Sequence, residues 1–396
     1  MLAQKMLEMG RNNSVIRDIA EYGRRRCLEV GAENVFDFSI GNPNVPAPQV
    51  VTDTLIDLLR NTPAEALHAY TAAPGDMDVR QAVAEYVQKT FGFAARAEYV
   101  YMTSGASSSL AISLNAIAQP GDEVILFTPY FPEYCAFIEK TGAKVIAVNS
   151  AKKTFQLNKD ALVAAINKNT KAVIVNSPSN PTGVVLTRDS IEKLAEVLRE
   201  KSEEYGHPIY LIADEPYREL VYGDTEVPYI PLFYKNTIVC YSFSKSLSLP
   251  GERIGYILIS PEATEADDLF AAVCGAGRAL GYICAPSLLQ QLIRTCLGKT
   301  ADISIYDRNR KLLYEALTEY GYEAVYPDGA FYLFVKALEE DANAFCEKAK
   351  AFDLLMVPAD SFGCPGYVRI AYCVTTEKIQ RSLPAFRKLA ALYKGE

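Results

Sequence analysis

Apolar residues come in short unbroken runs through the middle of this 396-residue chain, at 124–127, 145–148, 172–175, 210–213, 238–241 and 256–259. Runs this short, apolar throughout rather than alternating, predict strands covered on both faces. Between them lie longer stretches with helical spacing, at 107–118, 131–141, 159–166 and 188–204. Strands and helices alternating in this way predict an α/β fold: a mostly parallel central sheet with helices on both faces, in three layers. Towards the C-terminus the pattern changes. A long helix at 302–319, strands at 329–335 and 368–372 and a final helix at 378–393 predict a smaller α+β domain. The expected division is an N-terminal arm, 1–48, that packs back on the small domain; a large domain, 49–290; and the small domain, 291–396.

Several polar and aromatic residues stand just past the ends of these runs: Phe131, Asn176 and Asn180, Asp214 and Tyr217, and Ser242 to Lys245. Ligands of open α/β sheets gather outside the carboxyl ends of the strands, so these residues are expected in one crevice. Lys245 ends the segment Ser242-Phe243-Ser244-Lys245, and Arg253 follows eight residues later, opening the next apolar run. A neutral lysine amine joins an aldehyde as an imine, and an arginine beside small hydroxyl residues grips a phosphate. Pyridoxal 5'-phosphate carries both groups on one ring, so one cofactor accounts for the whole segment. Free lysine titrates near about 10.4, so this amine has to be held neutral by its surroundings.

Other segments add to that reading. Asp214, in Ile212-Ala213-Asp214-Glu215-Pro216-Tyr217, is placed to pair with a pyridine nitrogen and keep it protonated, with Glu215 the competing carboxylate. Tyr217 can donate to the ring's phenolic oxygen. The loop Thr103-Ser104-Gly105-Ala106-Ser107-Ser108-Ser109 opens a helix and offers free backbone N–H groups to a phosphate, with Ser107 adding a hydroxyl. In Asn176-Ser177-Pro178-Ser179-Asn180-Pro181-Thr182-Gly183, prolines stiffen the backbone that carries Asn180. Phe131, with Tyr130 as its rival, offers a flat face to the ring. Arg369 stands in the middle of an apolar strand and needs an anion, for which a substrate α-carboxylate is the natural candidate.

Composition narrows the field without redirecting it. Hydrophobic residues at 49% and charged residues at 22% are ordinary for a globular chain. The net charge of -8 gives no reason to expect a nucleic-acid partner, and no apolar run reaches membrane-spanning length. Residues 1–10 carry no signal-peptide core. Nine cysteines without a C-x-x-C pair, among them Cys135, Cys240 and Cys284 in apolar contexts, are expected as buried free thiols of a cytoplasmic protein. With only His68 and His207, a multi-histidine metal site is excluded, and no metal is expected.

Taken together, these segments resemble the class I, fold type I pyridoxal-phosphate aminotransferases, especially the prokaryotic aspartate/aromatic subgroup. The resemblance runs from Gly41-Asn42-Pro43 through Tyr70-Thr71, the Asn180-Pro181-Thr182-Gly183 loop and Asp214-x-x-Tyr217 to the lysine segment and Arg369. It implies that Lys245 binds the cofactor and later carries the proton, that Asp214 pairs with the ring nitrogen, and that Tyr217 and Asn180 bond the phenolic oxygen. It implies Gly105, Ala106, Ser107, Ser242 and Arg253 around the phosphate, with Ser244 as a weaker candidate, and Phe131 on the ring. Gly41, Asn180 and Arg369 would bind the substrate carboxylate. Tyr70 would reach the phosphate of the neighbouring subunit, which implies a homodimer with shared sites. The implied reaction moves an amino group between an L-amino acid and a 2-oxo acid in a ping-pong cycle, of aspartate-type or broad specificity. A C–S β-lyase or decarboxylase on the same fold is the alternative. Some aspartate-using relatives carry a lysine where Ser107 stands, and others use an arginine from across the dimer. Arg278 lies close to that second position, so aspartate specificity is left open.

Overall fold

The computed structural model describes residues 2–11 and 15–395; positions 1, 12–14 and 396 of the expected arm and C-terminal domain lie outside the described residues. After a two-residue strand β1 (Phe36–Asp37), seven strands build the central sheet: β2 (Val100–Thr103), β3 (Glu123–Thr128), β4 (Lys144–Asn149), β5 (Thr170–Asn176), β6 (Tyr210–Asp214), β7 (Thr237–Ser242) and β8 (Gly255–Ile259). Their order across the sheet is β2-β8-β7-β6-β5-β3-β4. β8 pairs antiparallel with both its neighbours, and the remaining pairs are parallel. Alternate residues of each inner strand feed two apolar cores. Val173, Leu211 and Val239 belong to one, and Ala172, Ile212 and Ile238 to the other. Both faces are therefore covered by helices, as the unbroken runs predict.

Two features of the sheet differ from the sequence reading. The run at 145–148 lies on β4, an edge strand whose residues are mostly half-buried or exposed, so it is not covered on both faces. At the opposite edge, β2 was not anticipated. Four residues, Val-Tyr-Met-Thr, are too few to show a period, and only pairing with β8 makes them a strand.

The C-terminal region forms its own antiparallel sheet from β9 (Ala324–Val325), β10 (Tyr332–Lys336), β12 (Val357–Pro358) and β13 (Tyr367–Ala371), in the order β12-β13-β10-β9. β11 (Leu354–Leu355) pairs in parallel with β1, and the Ala371 N–H donates to the Phe38 carbonyl. The arm thus adds itself to the C-terminal layer, where Phe38 shares a core with Phe331, Leu354 and Phe386. The expected boundary at 290 falls inside the helix Ser287–Cys296. That helix buries Leu292, Ile293 and Cys296 in the core of the large sheet, so its apolar face ties it to the preceding domain. Among the described residues, no helix is long and apolar enough to cross a membrane.

Candidate active site

Register alone brings the key residues together. Asn176, Asp214 and Cys240 are cross-strand neighbours at the carboxyl ends of β5, β6 and β7. Thr103, Gly255 and Ser242 are aligned in the same way on β2, β8 and β7. The loops leaving these ends therefore meet above one edge of the sheet, and the C-terminal sheet closes the other side. Between them lies a cleft of about 280 Å³ lined by Gly41, Ala106, Ser107, Phe131, Asn180, Asp214, Tyr217, Ser242, Ser244, Lys245, Arg253 and Arg369. Tyr130 is not among its lining residues and faces a separate small cavity, which leaves Phe131 as the aromatic face on this cleft.

One end of the cleft is built from main chain and hydroxyls. The helix Ala106–Ile117 begins at Gly105, whose side has no capping group, so its first N–H groups face the cleft. Gly105 has φ +90°, and a Cβ there would stand 2.6 Å from Nη2 of Arg253. The left-handed backbone conformation therefore requires glycine, while the arginine tip could turn aside. Ser108 and Ser109 are turned inward, the first donating to the Gly105 carbonyl and the second paired with Thr103, whereas Ser107 is exposed at the cleft. Ser242 caps the helical turn Phe243–Ser246 by accepting from the Ser244 N–H, which fixes the start of the lysine turn. Arg253 is exposed and donates to Ser244 Oγ and the Pro250 carbonyl, leaving its fork free to turn on an anion.

Lys245 lies between the two ends. Its Nζ donates to the Gly41 carbonyl at 2.7 Å and sits 5.3 Å from the centre of the Phe331 ring. Burial away from water, reinforced by the charges of Arg369 and Arg253, lowers its pKa to about 8. A tenth or so of the amine is then neutral at pH 7, which an exposed lysine would not provide.

Asp214 is fully buried. Its Oδ2 accepts from the Tyr134 hydroxyl at 2.5 Å, and the neighbouring Asn176 side chain donates to its main-chain carbonyl at 2.8 Å. Its Oδ1 has no partner. Burial raises the pKa to about 7, against the opposing pull of Tyr134. A buried carboxylate oxygen without a donor is costly, and a protonated ring nitrogen is the kind of donor that would satisfy it. Glu215, the competing carboxylate, is instead taken up by a buried pair with Arg218.

At the far end, Arg369 is only 2% exposed although it is charged. It donates to Asn180 Oδ1 and to the Ser39 carbonyl, stacks on Tyr332 and Phe362, and leaves Nε unpartnered. Asn180 is itself positioned by Asn176, whose Oδ1 accepts from its N–H at 2.7 Å. Tyr217 places its hydroxyl 2.9 Å from that of Tyr332.

Two residues expected to serve a neighbouring subunit's site lie outside this cleft. Tyr70 is 95% exposed and absent from the lining of this chain's own cleft. Arg278 is exposed in the last turn of the helix Ala266–Ala279, likewise outside the lining. Conversely, Tyr134, Tyr332 and Ile16 belong to the site and were not assigned from sequence, while Asn176 lines the cleft as expected. Tyr134 carried one usable signal, a phenol in a half-apolar helix that has to find a partner when buried. Of the cysteines, Cys240 is buried as expected, but Cys135 and Cys284 are only half-buried, and all nine are free.

The residues present fit pyridoxal 5'-phosphate: an anion seat at Gly105 to Ser107, a lysine with a lowered pKa, and an orphaned carboxylate oxygen. Comparison with known proteins agrees. The family described as aminotransferase class I and II matches residues 33–386. A crystal structure of an aminotransferase from Eubacterium rectale is 53% identical, covers 99% of both chains and superposes with a TM-score of 0.98. An aspartate aminotransferase from Thermotoga maritima is 28% identical over 93% of this chain and 97% of its own. The Thermus thermophilus aspartate aminotransferase with maleate is 25% identical over 98% of this chain and 99% of its own, with a TM-score of 0.86. The agreement extends over nearly the whole sequence and both sheets, and so this chain belongs to the class I and II aminotransferases, pyridoxal-phosphate enzymes of fold type I.

Proposed function

We propose that this aminotransferase takes L-amino acids of aspartate type or of broad range, with each residue of the cleft in the role its position suggests. The observation that carries the assignment is the convergence of Lys245, the unpartnered Asp214 Oδ1 and the unpartnered Arg369 Nε on one cleft. When bound, pyridoxal 5'-phosphate supplies an aldehyde for the amines and a ring into which the electron pair of a breaking Cα bond spreads. The chain does the rest. Gly105, Ala106, Ser107, Ser242 and Arg253, with Ser244, hold the phosphate, and Phe131 covers the ring. Asp214 accepts from the ring nitrogen and keeps its proton in place. Tyr217 and Asn180 bond the phenolic oxygen. Arg369, Asn180 and Gly41 fix the substrate carboxylate, which orients Cα, and Lys245 Nζ takes and returns the Cα proton.

Among the described lining residues, the cations are Lys245, Arg253 and Arg369. A distal carboxylate would therefore need a cation from outside this chain's own cleft. The exposed Tyr70 supports a homodimer in which each copy lends that side chain to its partner's phosphate, with Arg278 a candidate for the distal group. The free cysteines support a reducing, cytoplasmic setting. We also place the end of the large domain after the helix Ser287–Cys296, near residue 297, instead of at 290.

A single preparation tests these roles. The wild-type protein is expected to turn yellow with the cofactor and to exchange amines with 2-oxoglutarate or pyruvate, identifying the donors. Lys245→Ala is expected to lose turnover altogether. Near-normal transamination by that variant, or pyruvate release from cysteine conjugates with no oxo-acid acceptor, would overturn the proposal.

A further inference from the structure

Tyr332 opens β10 inside an apolar run, and its side chain is only 2% exposed. It nevertheless touches three parts of the site. Its hydroxyl lies 2.9 Å from the Tyr217 hydroxyl. Its ring carries the Arg369 guanidinium at 4.6 Å from the ring centre. The same hydroxyl occupies the place of a side chain at Gly41, where a Cβ would stand 2.0 Å from it, and Gly41 is the residue whose carbonyl receives Lys245.

Two hydroxyls at this distance share one proton, so one donates and the other accepts. Were Tyr217 the donor, its only proton would be used up and nothing would be left to offer the cleft. Tyr332 is the better donor. The Arg369 guanidinium lies 4.6 Å from the centre of the Tyr332 ring, where its charge acidifies that phenol and makes its O–H the stronger donor.

We propose that Tyr332 is a positioning residue: it donates to Tyr217, freeing the Tyr217 O–H for the phenolic oxygen of the bound cofactor, and passes the influence of Arg369 to that oxygen. This rests on the role given to Tyr217 above. A hydroxyl that accepts a hydrogen bond is polarised and donates more strongly. A stronger donor on the phenolic oxygen favours its anionic form, so the holoenzyme chromophore loses its proton at lower pH. The titratable and charged groups facing Tyr332 are Tyr217 from the loop after β6, Arg369 from β13 and Cys373 just beyond β13. Lys245 is held one residue contact away on Gly41.

The test is the pH titration of the holoenzyme's visible absorbance, in wild type, Tyr332→Phe, Tyr217→Phe and the double variant. The phenylalanine keeps the ring under Arg369 and the fit at Gly41, and removes only the hydroxyl. Tyr332→Phe is expected to raise the midpoint by roughly half a pH unit, and Tyr217→Phe by more. The double variant should match Tyr217→Phe alone, because the two act in series. In turnover, kcat of Tyr332→Phe should fall about tenfold while KM for the amino acid stays within about twofold. An unchanged midpoint in Tyr332→Phe beside a raised one in Tyr217→Phe would overturn the proposal and leave the Tyr217 role standing. If neither midpoint moves, the role of Tyr217 fails and the proposal with it. Additive shifts in the double variant also refute it, since they mean independent action. So does a Tyr332→Phe protein that no longer takes up the cofactor, because the hydroxyl would then be a structural pin.

Discussion

The two arginines of the cleft solve the same problem in opposite ways. Arg253 is exposed, held loosely by a serine hydroxyl and a carbonyl, and flanked by backbone N–H groups that share the work of binding an anion. Arg369 is buried in mid-strand between two aromatic rings, anchored by Asn180 and the Ser39 carbonyl, with one N–H unpartnered. The difference teaches how the cleft divides its labour. The end for a resident group spreads its contacts over many weak donors. On the proposed assignment, the end for a group that comes and goes concentrates them in one desolvated, rigidly aimed cation, where each hydrogen bond is stronger and its loss is felt more.

The largest expected effect breaks the contrast at its buried end. Arg369→Leu removes two charge-assisted hydrogen bonds, each about 1.5–3 kcal/mol, so kcat/KM for amino acids should fall on the order of 10²–10⁴-fold. Cofactor affinity, read by equilibrium titration, should stay within about threefold. A comparable loss of cofactor affinity would mean that the two ends are not separate. Arg253→Ala should show the mirror image. An exposed arginine contributes about 1 kcal/mol, so the cofactor dissociation constant should rise by roughly fivefold, and kcat at saturating cofactor should hardly change. Added salt should weaken cofactor binding to the wild type more than to this variant, since exposed charges are the ones screened.

A subtler effect concerns Asp214, between the two ends. Its folded pKa is raised to about 7 from 3.8, so its contribution to stability is present below the unfolded value and is lost as pH rises through about 7. The cofactor-free protein should therefore melt lower at pH 8 than Asp214→Asn does, by a few degrees, with the gap closing towards pH 4. Calorimetry of both proteins across that range checks the sign. A gap that widens on acidification would show that Asp214 is ionised and already paired without the cofactor. The smallest expected change is a few-fold loss of cofactor affinity in Tyr70→Phe, accompanied by an unchanged melting temperature.

How legible all this was in the sequence depends on where each residue gets its meaning. The inner strands were plain because both their faces are covered, which leaves the residues no reason to alternate. The catalytic candidates were plain because they stand at strand ends, where a polar residue interrupts an apolar run. Tyr332 and Tyr134 do not interrupt anything. Tyr332 sits within Phe331-Tyr332-Leu333-Phe334-Val335, a stretch that reads as core, and only the approach of Tyr217 and Arg369 gives its hydroxyl a task. Asn176 was legible as a residue of the crevice but not in its task, which is to tie β5 to β6 and to orient Asn180. The boundary at 290 falls inside a helix for a related reason. The apolar face of the helix Ser287–Cys296 says that it is buried, but not which sheet buries it.

The short parallel ladder between Phe36–Asp37 and Leu354–Leu355 has a consequence for the order of assembly. Gly41, which receives the lysine, is held in place by a stretch of chain that cannot dock until residues some three hundred positions later have been synthesised and folded. A chain still emerging from the ribosome can complete its central sheet, yet it has no floor beneath the amine. The Gly41 side of the amine's surroundings is thus complete only once the chain has reached residue 355.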